Sequence, residues 1–303
     1  MTDDTFTNNN FMLSVGDGHT LHVIDWGNKE AATPFIFLHG GPGSKVKDPQ
    51  KVNFDPTTQR VIFFDQRGCG ESLPSGELRD NDTEHLAEDI TKIADHLGID
   101  KFYLFGYSWG STLALYYTIT RPERVKGLII GGVYGGANDL KGMAKRCATY
   151  FPDRYDRFMG ATPAEYRDDP TSYHLDRAFS GTEEEQKHSI FWLDFLESTL
   201  ASFDSDFQPD VPYDTYLPDK MRTELHYVKH DCFMEKDFLL KNAHKISVPT
   251  YIVQGRADMV CPPDFAYRIH KEIPGSKLYF ADSNHRSSRE ILSLLKLIFA
   301  SLD

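Results

Sequence analysis

The sequence predicts an α/β fold in which a mostly parallel central sheet is flanked by helices and carries an inserted helical cap (lid) domain. Short, continuous apolar runs such as FIFLHG and VKGLIIGGV fit strands that are covered on both faces. Helical patterns alternate with these runs, which favours parallel strands joined by right-handed crossovers. After about residue 135 this alternation stops, and aromatic, acidic and proline residues become dense up to about residue 244.

The first third of the chain contains the elements of one half of the sheet. The segment NNFMLSVGDGHTLHVIDWG predicts two strands around a turn at Gly16–Gly18, and FIFLHG and VIFFDQRG predict two buried strands. In DNDTEHLAEDITKIADHLGI the apolar residues recur at helical spacing. Asn81 or Asp82 can cap the start of this helix, and Gly98 can end it.

The strand KFYLFGYS and the helix STLALYYTITRP follow, and Pro122 stops the helix. After the irregular region, ISVPTYIVQGRAD and KLYFADSNH restore the strand pattern, and REILSLLKLIFASL predicts a final amphipathic helix. We therefore expect a core domain of residues 1–135 and 245–303 and a helical cap domain of residues 136–244. Such a cap would lie over the carboxyl ends of the strands, where ligands of these folds bind.

Composition narrows the class of protein. The chain has 303 residues and a formal net charge of −12, which disfavours nucleic acid as a partner. No stretch approaches the roughly 18 apolar residues of a membrane span, and the polar start is unlike a signal peptide. The four scattered cysteines predict reduced thiols rather than disulfides or a structural zinc site. We expect a cytoplasmic monomer or small homo-oligomer.

A candidate nucleophile lies in the motif GYSWGS, between a predicted strand and a predicted helix. Gly106 and Gly110 lack a β-carbon, so strand and helix can approach closely while Ser108 occupies a strained turn. The helix that begins at Trp109 directs its amide end toward the same place, which favours negative charge there. From this motif alone, a glycine–serine turn without chemistry remains the alternative.

The partners that a nucleophilic serine needs follow in the order that this architecture requires. Asp258 comes just after one predicted strand and His285 just after the next, so both lie at the sheet edge that carries Ser108. The histidine would act as general base, and the aspartate would fix its tautomer. Asp264 and Asp282 are the rival carboxylates, but the first falls within a helix and the second is close to His285 in sequence.

The loop LHGGPGS follows a strand and can aim a backbone N–H at a developing oxyanion. Gly41 is the candidate donor, with the amide of Trp109 as the second. The loop lacks the Gly-Lys-Ser/Thr ending of a phosphate loop, and no metal or organic cofactor is indicated. The segment DQRGCGES indicates a charged structural clamp near this loop rather than a further catalytic group.

Together, HGGPG, DQRGCGES, GYSWGS, GRADMVCP and a late NH resemble the prolyl iminopeptidases, α/β-hydrolase-fold serine peptidases that release an N-terminal proline. The resemblance covers nearly the whole chain and is weakest between about residues 138 and 186. RTELHYVKHDCF is similar to the family's Arg-Ile-Glu-Asn-His-Tyr segment, which places Glu224 on a glutamate that binds the substrate amino group. FWLDFLE resembles the family's Trp-x-x-Trp-Glu, which places Glu197 on the second such glutamate.

The sequence also departs from the family pattern. Tyr107 replaces the usual glycine, Trp192 is out of register, and IIGGVYGG lacks the arginine that is common after that strand. Tyr134 and Trp192 are the candidate walls of the pocket for the first residue. The resemblance implies a serine aminopeptidase with a preference for proline and with short peptides or amino-acid amides as substrates. An amidase or small-ester hydrolase on the same scaffold is the nearest alternative, and a non-catalytic ligand-binding protein is another.

Overall fold

The computed structural model describes residues 5–202, 217–286 and 288–302. Within these ranges one sheet has eight strands in the order β1-β2-β4-β3-β5-β6-β7-β8. The strands are β1 (Phe6–Gly16), β2 (His19–Asn28), β3 (Phe35–Leu38), β4 (Arg60–Phe64), β5 (Phe102–Tyr107), β6 (Val125–Gly131), β7 (Thr250–Gly255) and β8 (Lys277–Ala281). The pairs β1–β2 and β2–β4 are antiparallel, and the other pairs are parallel. The predicted fold class is confirmed.

The helices follow the strands in the predicted alternation. They are α1 (Thr83–His96), α2 (Trp109–Thr120), α3 (Leu140–Tyr150), α4 (Pro152–Ala161), α5 (Pro170–Ser180), α6 (Glu183–Ala201), α7 (Leu217–Lys229), α8 (Phe238–Asn242), α9 (Pro263–Glu272) and α10 (Arg289–Ala300). No helix within the described ranges combines the length and the apolar character that a bilayer crossing requires.

Alternate residues of the central strands enter two apolar clusters on opposite faces of the sheet, as the period of two in a strand requires. Ile36 and Leu104 belong to the cluster that α1, α2 and α9 cover. Phe35 and Phe105 belong to the cluster that α10 covers, where Phe299 contributes a buried ring. Because both faces are covered, the strands are apolar along their whole length, which is why they read as continuous runs in the sequence.

Local signals place the ends of these elements. Asp17 adopts a φ of 57° between two glycines of positive φ, and this tight turn joins β1 to β2. The Asp82 side chain accepts a hydrogen bond from the His85 amide and caps α1. Both features agree with the sequence analysis.

Helices α3–α7, which lie between β6 and β7 in the chain, have apolar clusters of their own, and we propose that they form the cap. Leu193 packs with Leu225 in one of these clusters, and Phe158 lies in another. Leu239 of α8 instead joins the main cluster of the core. We therefore propose that the cap ends with α7 at Lys229, earlier than the expected boundary at residue 244, because α8 buries its apolar side against the sheet domain.

Candidate active site

Ser108 lies between β5 and α2, at the sharp turn that the motif predicts. Its backbone has φ 56° and ψ −128°, a conformation that L residues other than glycine rarely adopt. A β-carbon on Gly106 would collide with the carbonyl of Gly110, and one on Gly110 would collide with the carbonyl of Leu38. The two glycines therefore allow the close approach that holds the serine in its strained position.

The three predicted side chains meet at the carboxyl edge of the sheet. His285 Nε2 lies 3.2 Å from Ser108 Oγ, and His285 Nδ1 lies 2.9 Å from Asp258 Oδ2. Both distances fall within the reach that proton transfer needs in a substrate-free enzyme. The rival carboxylates Asp264 and Asp282 are exposed, and neither contributes to this chain of contacts.

Asp258 is held by donors on both of its oxygens. The backbone amides of Val260 and Cys261 donate to Oδ1 at 3.1 and 2.8 Å. The side-chain amide of Gln254 donates to Oδ2 at 3.3 Å. These donors hold the carboxyl group in a fixed orientation toward His285. Asp258 Oδ2 accepts the hydrogen bond from His285 Nδ1, which leaves Nε2 free to accept the proton of Ser108.

The surroundings of His285 favour its role as a base. Burial lowers the pKa of this imidazole, but the hydrogen bond to the Asp258 carboxylate and the charge of that carboxylate raise it, so the pKa lies above its ordinary value. The Tyr107 hydroxyl donates to the backbone carbonyl of His285 at 3.2 Å. Tyr107, the residue that departs from the family motif, thus anchors the loop that carries the histidine.

The two predicted oxyanion donors flank the serine. The Trp109 amide is the first N–H of α2 and has no intrahelical partner. Gly41 has a φ of 110°, and its neighbour Gly40 lies close to the Ser108 side chain. Gly41 and Ser108 line the same cavity. We propose that these two amides point at the space where the oxyanion of a tetrahedral intermediate would form.

A buried network holds this loop in place. The Gln66 side chain donates to the His39 carbonyl at 3.0 Å and accepts from Trp109 Nε1 at 2.9 Å. The backbone N–H of Gln66 donates to His39 Nε2 at 3.0 Å. Arg67 makes paired hydrogen bonds to the buried Asp89 carboxylate at 2.7 and 2.9 Å. The geometry supports the structural role that the sequence analysis gave to this segment.

Glu197 on α6 and Glu224 on α7 line the same cavity as Ser108, and their side chains interact with each other. Burial and the adjacent Glu197 carboxylate raise the pKa of Glu224 well above its usual range. Burial alone would raise the pKa of Glu197 as well, but the hydrogen bond from Glu224 and the charge of Lys220 bring it below its usual value. Of the two carboxyl groups, Glu224 is therefore the one that favours holding the proton that such a pair can share.

The sequence analysis missed two further charged groups beside this pair. Lys220 Nζ lies 3.8 Å from Glu224 Oε2 and 3.5 Å from Asp194 Oδ1. The signal for Lys220 was its position one helical turn before Glu224, which places both side chains on one face of α7. Asp194 likewise lies one helical turn before Glu197 on α6, but nothing in the sequence brings α6 and α7 together.

The rest of this cavity is apolar and small. Its volume is ≈ 40 Å³, which corresponds to about three water molecules and fits one small residue. Tyr134 lines this cavity and also lines a larger one of ≈ 630 Å³. Trp192 does not line either cavity. It packs edge-on against Phe195 within the cap, so its position does not support the predicted role as a pocket wall.

Asp258, Cys261 and His285 offer donor atoms within 4.8 Å of one another, a group among the described residues that a metal ion could bridge. Asp258 and His285 already bond to each other, and burial raises the pKa of the Cys261 thiol, so it is not a thiolate at neutral pH. We therefore assign the histidine and the aspartate to proton transfer.

Comparison with known proteins agrees with this geometry. The family described as α/beta hydrolase fold matches residues 33–287. Two solved structures share the fold: the proline iminopeptidase of Mycobacterium smegmatis, with a TM-score of 0.63 at 17% identity, and an esterase of Exiguobacterium antarcticum, with a TM-score of 0.60 at 19% identity. Each comparison covers 97% of this chain and 98% of the other.

Sequence relatives narrow the family further. The chain is 37% identical over 296 residues to a probable proline iminopeptidase of Leptolyngbya boryana, covering 96% of this chain and 92% of that protein. It is 34% identical over 291 residues to the proline iminopeptidase of Neisseria meningitidis serogroup A, covering 91% and 89%. With a nucleophile elbow, a hydrogen-bonded Ser-His-Asp chain and a helical cap in place, the chain belongs to the α/β hydrolases and, within them, to the proline iminopeptidase family.

Proposed function

We propose that this protein is a serine aminopeptidase that releases the N-terminal residue, preferably proline, from short peptides through an acyl-enzyme. One observation carries the proposal: Ser108 lines the same small cavity as the half-buried Glu197 and the buried Glu224. An aminopeptidase must hold a cationic N-terminus one residue away from the carbonyl that it attacks, and carboxylates in a dry pocket can do so.

In the acylation step, Ser108 Oγ attacks the carbonyl of the first residue while His285 Nε2 takes its proton. Asp258 stabilises the imidazolium that forms. The amides of Gly41 and Trp109 stabilise the oxyanion, and each such donor contributes on the order of 3 kcal/mol to lowering the barrier. The imidazolium then gives its proton to the leaving amine, and the peptide bond breaks.

In the second step, His285 takes a proton from a water molecule, which attacks the acyl-enzyme. The imidazolium then gives this proton to Ser108 Oγ as the ester bond breaks and the free amino acid leaves. The amino group stays at the Glu197–Glu224 pair throughout, so both half-reactions use the same alignment. The apolar side chains around it, which include Leu193, Met221 and Leu225, suit a compact ring such as that of proline.

The leaving part of the peptide has room on the other side of Tyr134. The larger cavity of ≈ 630 Å³ shares Tyr134, Val260 and Cys261 with the smaller one. A few residues fit there, which is why we propose short peptides and amino-acid amides as substrates. The four cysteines are free and buried, which supports our proposal that the enzyme works in the reducing cytoplasm.

The test is a panel of aminoacyl 4-nitroanilides, with proline and alanine side by side, compared with 4-nitrophenyl acetate. The proposal predicts the highest kcat/KM for the prolyl compound. Preference for the simple ester would instead identify a small-ester hydrolase, and equal rates on many aminoacyl amides would identify a general amidase.

A second measurement addresses catalysis itself. A fluorophosphonate reacts only with an activated serine, so we expect stoichiometric labelling of the protein and none of Ser108→Ala. If the protein is not labelled while it binds aminoacyl ligands, it is a binding protein rather than an enzyme.

A further inference from the structure

Among the described side chains, Lys220 is the cation that pairs with the carboxylates of the proposed amino-group site. Its Nζ lies 3.8 Å from Glu224 Oε2 and 3.5 Å from Asp194 Oδ1. Three carboxyl groups, those of Asp194, Glu197 and Glu224, thus surround one ammonium. Such a cluster stays strongly anionic unless a proton or a second cation enters it.

Glu224 Oε2, the oxygen nearest to Lys220, is buried and has no hydrogen-bond partner. A buried polar atom without a partner costs free energy, so this oxygen is placed to receive a donor. Lys220 is too far away for a good hydrogen bond, and its contact with Asp194 is also long. Lys220 therefore contributes its charge and leaves the oxygen open for a ligand.

The other ionisable groups that interact with Glu197 or Glu224 come from four separate segments. His285 follows β8, Cys261 follows β7, Tyr134 follows β6, and Cys232 follows α7. Burial raises the pKa of the Tyr134 hydroxyl and of both thiols, so these three groups are neutral near pH 7. Lys220 and His285 are then the groups that can place a positive charge near the pair.

We propose that Lys220 is a specificity-determining residue of the amino-group site, because its positive charge favours the ionised form of the Glu197–Glu224 pair that accepts a cationic N-terminus. The inference rests on the proposed function in taking this pair as the ammonium site. The substrate amino group then binds only after the two glutamates have lost the proton that they share. The charge of Lys220 lowers the pH at which that proton is lost.

Two opposite effects follow from removing this charge, and pH separates them. In Lys220→Met the pair keeps its proton to a higher pH, so a cation binds more weakly on the acidic side. Where the pair is ionised in both proteins, the cation no longer meets the repulsion of Lys220, so it binds at least as tightly as before. The ratio of the two inhibition constants, variant over wild type, must therefore fall as pH rises.

Pyrrolidine is the probe, because this aliphatic amine stays cationic between about pH 5 and 8. We would measure its inhibition constant against hydrolysis of 4-nitrophenyl acetate, with each variant compared with its own uninhibited rate. A neighbouring opposite charge moves a carboxyl pKa by about 1–3 units, so the ratio should reach about tenfold or more at the acidic end. At the alkaline end it should be one or less.

Two variants serve as controls. Lys220→Arg keeps the charge, so its ratio should stay near one at every pH. Lys229→Met removes a charge from the far end of the same helix, where the lysine lies over the ring of Phe179, and its ratio should also stay near one.

A ratio for Lys220→Met that is the same at every pH would overturn the inference, as would a Lys220→Arg variant that behaves like Lys220→Met. Absence of inhibition of the wild type by pyrrolidine would overturn both the inference and the assignment of the pair. The proposed function has a separate readout: if the wild type cleaves no aminoacyl arylamide while the ratio still falls with pH, the peptidase assignment fails and the role of Lys220 stands.

Discussion

Replacing Asp258 by asparagine tests the catalytic assignment more sharply than deleting the nucleophile, because the structure dictates which way the new amide must turn. The backbone amides of Val260 and Cys261 both donate to Oδ1. An asparagine that turned its NH₂ toward them would leave two buried donors unpaired, at about 1–3 kcal/mol each. Its oxygen therefore faces these amides, and its NH₂ faces His285.

This orientation reverses the hydrogen bond to the imidazole. His285 Nδ1 must then accept a proton instead of donating one, so the proton of the neutral ring moves to Nε2. That nitrogen lies 3.2 Å from Ser108 Oγ and can no longer take the serine proton. Loss of the correct tautomer in a Ser-His-Asp triad lowers kcat by about 10⁴, which corresponds to about 5 kcal/mol of barrier.

The assay is steady-state hydrolysis of prolyl 4-nitroanilide, with the unfolding temperature measured in parallel. We expect kcat to fall by about 10⁴, with a much smaller change in KM, since Asp258 does not line the substrate cavity. The exposed rivals provide matched controls: Asp264→Asn and Asp282→Asn should retain wild-type kcat. If Asp258→Asn kept more than about a tenth of the activity, the assignment of Asp258 would be wrong.

Three further outcomes are expected. Glu224→Gln should lower kcat/KM for the prolyl anilide about 10²-fold and for a neutral ester far less, because a lost carboxylate weakens binding of a cation; equal losses would contradict its role. Gly43→Ala should unfold at a lower temperature by an amount worth about 1–3 kcal/mol, because a β-carbon there would collide with the Lys220 carbonyl, whereas Gly160→Ala, with open space around it, should not. Burial lowers the pKa of His174 to about 4. The folded state should therefore lose about 3 kcal/mol of stability in total as the pH falls from about 6.5 toward 4. If the melting temperature of His174→Gln depends on pH as strongly as that of the wild type, this expectation is wrong.

The core fold and the triad could be predicted because each rests on a local pattern. Strands buried on both faces appear as apolar runs, and Ser108 is marked by two glycines that only a tight strand–helix turn requires. Asp258 and His285 each follow a strand directly, and the carboxyl ends of parallel strands share one edge. Their meeting at hydrogen-bonding distance follows from topology rather than from sequence proximity.

The cap was less predictable, because its helices pack through the shapes of their side chains and do not follow a repeating pattern such as the strand–helix alternation of the core. Trp192 is an aromatic residue of the kind that often lines a pocket, but its ring packs against Phe195 within the cap. Lys220 and Asp194 come together from two different helices, so no local pattern connects them. Helix α8 packs on the sheet domain because Leu239 joins the main apolar cluster. The spacing of apolar residues in α8 does not tell whether the helix packs there or within the cap.

The contact between Gly43 and the backbone of Lys220 joins two parts of the enzyme that have different tasks. The glycine follows the candidate oxyanion donor Gly41 in the same loop, and the lysine precedes Glu224 on the same helix. A displacement of α7 would therefore also withdraw support from that loop. Grafting a foreign lid onto this sheet domain would therefore disturb bond cleavage as well as substrate selection, unless the graft reproduced the same backbone-to-backbone fit.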